Sequence, residues 1–117
     1  LFQCLIDSGE IANPKGAILF LEDIAEESSR LDRDFCYLRR TGLMDKIGGL
    51  VLGQFTNLLD TGTPFGFTFE DIIAEHSEGL NIPIITNAPF GHDVDLYALP
   101  IGAKATLDTN DLSLNLI

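Results

Sequence analysis

An α/β fold is what this sequence predicts, and three observations carry it. Two apolar runs, Ala17-Ile18-Leu19-Phe20-Leu21 and Leu50-Val51-Leu52, stand uninterrupted between glycine and polar residues. Runs of that kind mark strands covered on both faces. Between them the apolar period lengthens to that of a helix, and from Ala103 onward it shortens to strict alternation.

The elements follow in order. Residues 1–6 form a short apolar piece, and residues 7–16 a loop rich in breakers. The first strand is expected over 17–21. Ser28 or Ser29 offers an N-cap to the helix that follows, whose stripe is Leu31, Phe35 and Leu38. Gly42 and the pair Gly48-Gly49 end it and turn the chain into a second strand over 50–55. Strand, helix and strand with short joints make a βαβ unit, a crossover that is almost always right-handed. After a loop over 57–67, Thr68-Phe69-Glu70-Asp71 opens a second, shorter helix with a capping-box start. Ile82-Pro83-Ile84-Ile85-Thr86 reads as a third strand. Ala103, Ala105 and Leu107, then Leu112, Leu114 and Leu116, alternate with polar residues about a turn at Asn110-Asp111, which predicts a hairpin with one dry face.

The chain's 117 residues fit one domain with a real core and show no internal boundary. Hydrophobic residues at 45% and charged residues at 21% exclude a disordered chain. Seven Lys and Arg against eighteen acids leave a net charge of −11, which argues against nucleic acid and against an anionic membrane surface. No apolar run approaches the roughly 20 residues that span a bilayer. Cys4 and Cys36 are too few for a disulfide framework and lack C-x-x-C spacing, which favours a reducing cytoplasm. The first residues have neither a basic start nor a small-residue cleavage site, and no initiator methionine. The sequence is expected to be part of a longer protein.

Chemistry concentrates where two apolar runs stop. Glu22 directly follows the first strand, and His92 follows the third across Asn87-Ala88-Pro89-Phe90-Gly91. If the strands are parallel, both residues reach the edge of the sheet where such folds place their ligands. A histidine there can take a proton from a nucleophile while a carboxylate fixes its tautomer. The plainer readings are a solvated strand-end carboxylate and a structural histidine after a glycine turn. Glu26 and Glu27 are expected to solvate or stabilise the first helical turn, and His76, near Glu75 and Glu78, to be a solvated surface histidine. A metal is not expected, because Cys4, Cys36, His76 and His92 occur singly rather than at ligand spacing. None of Ser8, Ser28, Ser29, Ser77 and Ser113 lies in G-x-S-x-G, and Gly53 within a strand suggests close backbone packing.

From Gly16 onward a series of motifs stands in order: Gly16-Ala17-Ile18-Leu19-Phe20-Leu21-Glu22-Asp23, Arg30-Leu31-Asp32-Arg33, Leu38-Arg39 and Gly42-Leu43. It continues through Gly49-Leu50-Val51-Leu52-Gly53-Gln54-Phe55, Ile82-Pro83-Ile84, Pro89-Phe90-Gly91-His92 and Leu99-Pro100-Ile101-Gly102-Ala103. In these motifs the chain resembles the C-terminal domain of the serine LD-carboxypeptidases, the murein tetrapeptide carboxypeptidases, with the microcin C immunity peptidases as relatives. The sequence departs from the family at residues 1–15, and in having Ala25-Glu26-Glu27-Ser28 where the family often has Gly-Glu-Pro-Pro.

The resemblance implies a swivelling β/β/α-type domain: a small, mostly parallel sheet, two helices and a C-terminal hairpin. It implies that Glu22 and His92 are catalytic and that the nucleophilic serine lies in an N-terminal domain of the same parent chain, outside these residues. The implied reaction removes the terminal D-alanine from a muropeptide tetrapeptide in cytoplasmic cell-wall recycling, without metal or cofactor, by a protein that is commonly a homodimer. Three other readings remain beside it. One is an immunity-type peptidase cleaving a peptidyl- or aminoacyl-nucleotide amide. Another is a phosphohistidine carrier, against which the acidic balance and neighbouring Asp93 and Asp95 speak. The last is a non-catalytic binding or assembly module.

Overall fold

The computed structural model describes residues 2–92 and 96–117. Leu1, Asp93 and Asp95, which figure in the sequence reading, lie outside the described residues. The order is α1 (Phe2–Ser8), β1 (Ile18–Leu21), α2 (Ser28–Arg40), β2 (Gly49–Leu52), α3 (Phe69–Ser77), β3 (Ile84–Ile85), β4 (Ala105–Asp108) and β5 (Ser113–Leu116). Strands β1, β2 and β3 form a parallel sheet in that spatial order, with Leu19 opposite Leu50 and Leu50 opposite Ile84. Strands β4 and β5 form the antiparallel hairpin.

Three layers result, and the central strand explains them. All four residues of β2 are buried. Leu50 and Leu52 join Phe35, Leu38, Ile72 and Ile73 in the core beneath α2 and α3. Burying a leucine side chain this fully stabilises the fold by roughly 1.5–3 kcal/mol. The opposite face carries Phe20, Val51 and Ile85, which share an apolar cavity of about 350 Å³ with Leu107 and Leu114 of the hairpin. The helix–sheet–hairpin layering is that of the expected β/β/α domain.

Local sequence accounts for most of the elements. Helix α2 buries Leu31, Phe35 and Leu38, the expected stripe. Helix α3 begins with a complete capping box: Asp71 N–H donates to the Thr68 hydroxyl, and Thr68 N–H donates to the Asp71 carboxylate. Past the ends of β1 and β2 the two chains stay side by side, bridging at Ile24–Thr56 and Glu27–Leu59. That ribbon changes one expectation. Ser28 is already helical and spends its N–H and hydroxyl on Leu59 O, so Glu27 takes the N-cap place without a side-chain cap bond.

Other elements differ too. Besides the two expected helices there is α1, whose Phe2 and Ile6 pack on the core at helical spacing. Gln3 Nε2 donates to Asp34 at 2.6 Å, and the Tyr37 hydroxyl donates to Asp7, which ties α1 to α2. Strand β3 keeps two residues of the five expected; Pro83 brings no N–H to the ladder, and its carbonyl accepts from Leu50 N–H. The hairpin's dry face is only half covered, since Leu112 and Leu116 are 72% and 61% exposed.

Candidate functional site

The site is built at the C-terminal edge of the parallel sheet. Side chains alternate along a strand, so Phe20 and Glu22 leave β1 on the same side. The chain leaving β3 must cross the end of β2 to reach them, and three backbone hydrogen bonds guide it. Ala88 N–H donates to Leu52 O at 3.0 Å, Gln54 N–H donates to Phe90 O at 3.1 Å, and Phe90 N–H closes a tight turn on Ala88 O at 2.7 Å. The Phe90 ring then meets Phe20 edge to face, with centroids 5.6 Å apart. Two residues further along both chains, His92 Nδ1 lies 2.8 Å from Glu22 Oε2. The expectation that this edge brings Glu22 and His92 within direct reach holds.

The electrostatics of the pair follow from exposure. The Glu22 side chain is 28% exposed and that of His92 55%. A carboxylate only accepts, so neutral His92 donates Nδ1–H to Glu22 and carries its lone pair on Nε2. That is the form of imidazole able to take a proton from a third group. Beside Glu22 a cleft of about 410 Å³ opens between α1 and α2, with Asp23, Glu26, Arg30 and Phe55 on its walls.

Several of the remaining candidates have partners of their own. Glu26 pairs with Arg30 at 3.2 Å. Glu27 accepts hydrogen bonds from the hydroxyl and backbone N–H of Thr61, which hold its carboxyl below the ordinary value. His76 departs from the solvated surface histidine that the sequence suggested. Its side chain is only 12% exposed, its Nε2 lies 2.8 Å from Asp32 Oδ1, and its ring stacks on Phe35 at 6.4 Å. The sequence carries no cue to this, because His76 and Asp32 meet only once α3 packs on α2. Ser8, Ser28 and Ser77 donate their hydroxyls to the carbonyls of Leu5, Leu59 and Ile73. Cys4 and Cys36 are free thiols on α1 and α2. The sequence reading names Phe90 only within the Pro89-Phe90-Gly91-His92 motif and gives it no role; its ring and carbonyl are the anchors of the His92 loop.

Fold and site together define a carboxylate–histidine pair displayed at a parallel sheet edge and backed by a hairpin. Residues 1–107 match the family model of the LD-carboxypeptidase C-terminal domain, and the chain belongs to that family. The murein tetrapeptide carboxypeptidase of Pseudomonas aeruginosa is 31% identical over 104 residues, 89% of this chain and 33% of that protein. The microcin C7 self-immunity protein of Escherichia coli is 27% identical over 107 residues, 92% of this chain and 30% of that protein. The crystal structure of muramoyltetrapeptide carboxypeptidase from Oxalobacter formigenes superposes with a TM-score of 0.84 at 30% identity, covering 98% of this chain and 40% of that one. The chain spans about a third of the length of the curated relatives it matches. Among the described residues, no helix is long and apolar enough to cross a membrane.

Proposed function

We propose that this domain supplies the general base and its orienting acid to a serine LD-carboxypeptidase that removes the terminal D-alanine from muropeptide tetrapeptides. The single observation that carries the reading is the 2.8 Å contact between His92 Nδ1 and Glu22 Oε2, which puts the lone pair of neutral His92 on Nε2. In this reading a serine hydroxyl from the rest of the protein attacks the carbonyl carbon of the L,D-amide. His92 Nε2 takes the hydroxyl proton while Glu22 stabilises the imidazolium through Nδ1–H. The same proton passes to the amide nitrogen as the carbon–nitrogen bond breaks and D-alanine leaves. Water, deprotonated by His92, then hydrolyses the acyl-serine ester and regenerates the hydroxyl.

The murein tetrapeptide and muramoyltetrapeptide carboxypeptidases among the relatives support this substrate class. The microcin self-immunity relative supports the second reading, an immunity-type peptidase acting on a peptidyl- or aminoacyl-nucleotide amide. We place the reaction in the cytoplasm. We also propose a homodimer, in line with the exposed Leu112, Leu116 and Ile117 on the hairpin side.

The test uses the full-length protein and these 117 residues alone. The full-length protein is expected to release D-alanine from a tetrapeptide, and the 117 residues to release none. Turnover by the 117 residues, surviving rigorous purification, would overturn the assignment of the nucleophile to another domain. Cleavage of an aminoacyl sulfamoyl nucleotide with no D-alanine release would favour the second reading.

A further inference from the structure

We infer that Gly53 is a positioning residue for His92: the absence of a side chain there lets the loop from β3 lie across the end of β2 and reach Glu22. The inference rests on the reading of Glu22 and His92 as the proton-handling pair. The topology sets the requirement. Glu22 stands at the end of β1 and His92 follows β3, with β2 between them in the sheet. Whatever carries His92 to Glu22 must cross directly over the first residue past β2, which is Gly53.

The crossing is tight. A Cβ at Gly53 would stand 2.6 Å from the Phe90 carbonyl oxygen and 2.8 and 2.9 Å from two carbons of its ring. Contacts under 3.0 Å force movement, and the nearest atom belongs to the backbone, which cannot swing aside as a side-chain tip can. That same carbonyl accepts the Gln54 N–H bond, so the group that would have to move is the loop's own anchor. Gly53 is not among the glycines with positive φ, so its backbone tolerates alanine and only the space forbids it. Gly91, next to His92, complements it differently. Its φ of 125° suits glycine, and a Cβ there would meet Glu22 Oε2 at 3.0 Å. Displacing Phe90 displaces His92 with it, since only Gly91 separates them.

The test is ring ¹⁵N NMR of the imidazoles, joined to kinetics of the full-length protein. The chain has two histidines, so His76, bound to Asp32 in the helical layer, reports on the fold in the same spectrum. In the wild-type chain neutral His92 is expected to show the Nδ1–H tautomer. Gly53→Ala is expected to return His92 to the Nε2–H pattern of free histidine and leave the His76 signals unchanged. In the full-length protein it is expected to lower kcat about 10²-fold with KM within about twofold, as for an ångström-scale misplacement of a catalytic group. If Gly53→Ala disturbs both histidines, Phe90→Ala empties the same seat from the other side and is expected to alter His92 alone. A wild-type His92 pattern in a folded Gly53→Ala or in Phe90→Ala overturns the inference. A shifted His92 in a full-length protein whose wild type hydrolyses no tetrapeptide leaves the positioning role standing and overturns the proposed function instead.

Discussion

Replacing Glu22 by glutamine in the full-length protein separates catalysis from architecture, and the structure sets the size of the effect. The side chain keeps its volume and loses its charge. Its 28% exposure, against 55% for His92, makes the pair partly solvated, and such pairs contribute at most about 1 kcal/mol to folding. Melting curves should therefore barely move. The rate should move much more, because the imidazolium formed during proton transfer loses its counter-charge. Unit charges about 4 Å apart attract by roughly 1 kcal/mol in water and roughly 4 kcal/mol near a protein surface. At about 1.4 kcal/mol per tenfold, that range corresponds to a fall in kcat of roughly 5- to 10³-fold. The half-exposed setting thus predicts a smaller loss than the roughly 10⁴-fold seen for a buried triad acid. The assay is D-alanine release at saturating tetrapeptide for Glu22→Gln, His92→Ala and the double variant. His92→Ala should be at least as damaging as Glu22→Gln, and the double variant little worse than His92→Ala, since the two act as a unit. A phosphocarrier would instead lose histidine labelling in His92→Ala and tolerate Glu22→Gln. Near-wild-type kcat in both single variants would refute the catalytic assignment.

Three further outcomes test the scaffold. Asp32→Ala leaves the Nε2 of a nearly buried His76 without its 2.8 Å partner and should cost about 1–3 kcal/mol in urea unfolding; a change below about 0.5 kcal/mol would show that the α2–α3 bridge is idle. Among the described residues the buried side-chain oxygen of Gln54 has no hydrogen-bond partner, so Gln54→Met should raise stability by about 1 kcal/mol, and a destabilised variant would mean that oxygen is satisfied in solution. The hydrogen bond to Asp7, aided by burial and the nearby carboxylate charge, pushes the Tyr37 hydroxyl up from the ordinary 10.0 to about 12. Because the folded value is the higher one, the stability this contact contributes is complete below pH 10 and is lost as pH rises toward 12. Tyrosinate absorbance in a Tyr97→Phe background should show the raised titration, and Asp7→Asn should bring it back down.

What the sequence reveals of this molecule divides along a physical line. Features written within one turn or one strand are legible. The capping box at Thr68 and Asp71, the stripe of Leu31, Phe35 and Leu38, and the alternation of the hairpin follow from local period and local hydrogen bonding. Features that need two elements to meet are not. Ser28 is a good N-cap by residue type, yet pairing with Leu59 past the sheet decides its backbone, a contact across 31 residues. His76 reads as exposed from its acidic neighbours, and packing of α3 on α2 buries it. Helix α1 has an apolar pair at helical spacing but no acid in its first turn and no base in its last, so tertiary contacts with Asp34 and Tyr37 supply what propensity does not. The Glu22–His92 pair is an instructive middle case. The parallel topology, itself readable from the apolar runs, brings the two ends together, while the crossing over β2 that makes their meeting possible is visible only in three dimensions.

That crossing bears on what holds the pair. A partly solvated carboxylate–imidazole contact contributes too little to order a loop, because freezing even one residue costs about 1–2 kcal/mol. The order must come from elsewhere, and the structure supplies it in the bonds from Ala88 to Leu52 and from Gln54 to Phe90, and in the Phe90 ring seated on Phe20. The hydrogen bond between Glu22 and His92 is therefore a result of the loop's position rather than its cause. Such an arrangement suits a proton relay. Backbone and aromatic contacts hold the ring in place, and the Glu22 carboxylate is left to stabilise the imidazolium as it forms. It follows that substitutions at Gly53, Phe90 or Phe20, none of which handles a proton, should damage catalysis more than they damage the fold. Substitutions at Glu22 and His92 should leave the loop where it is.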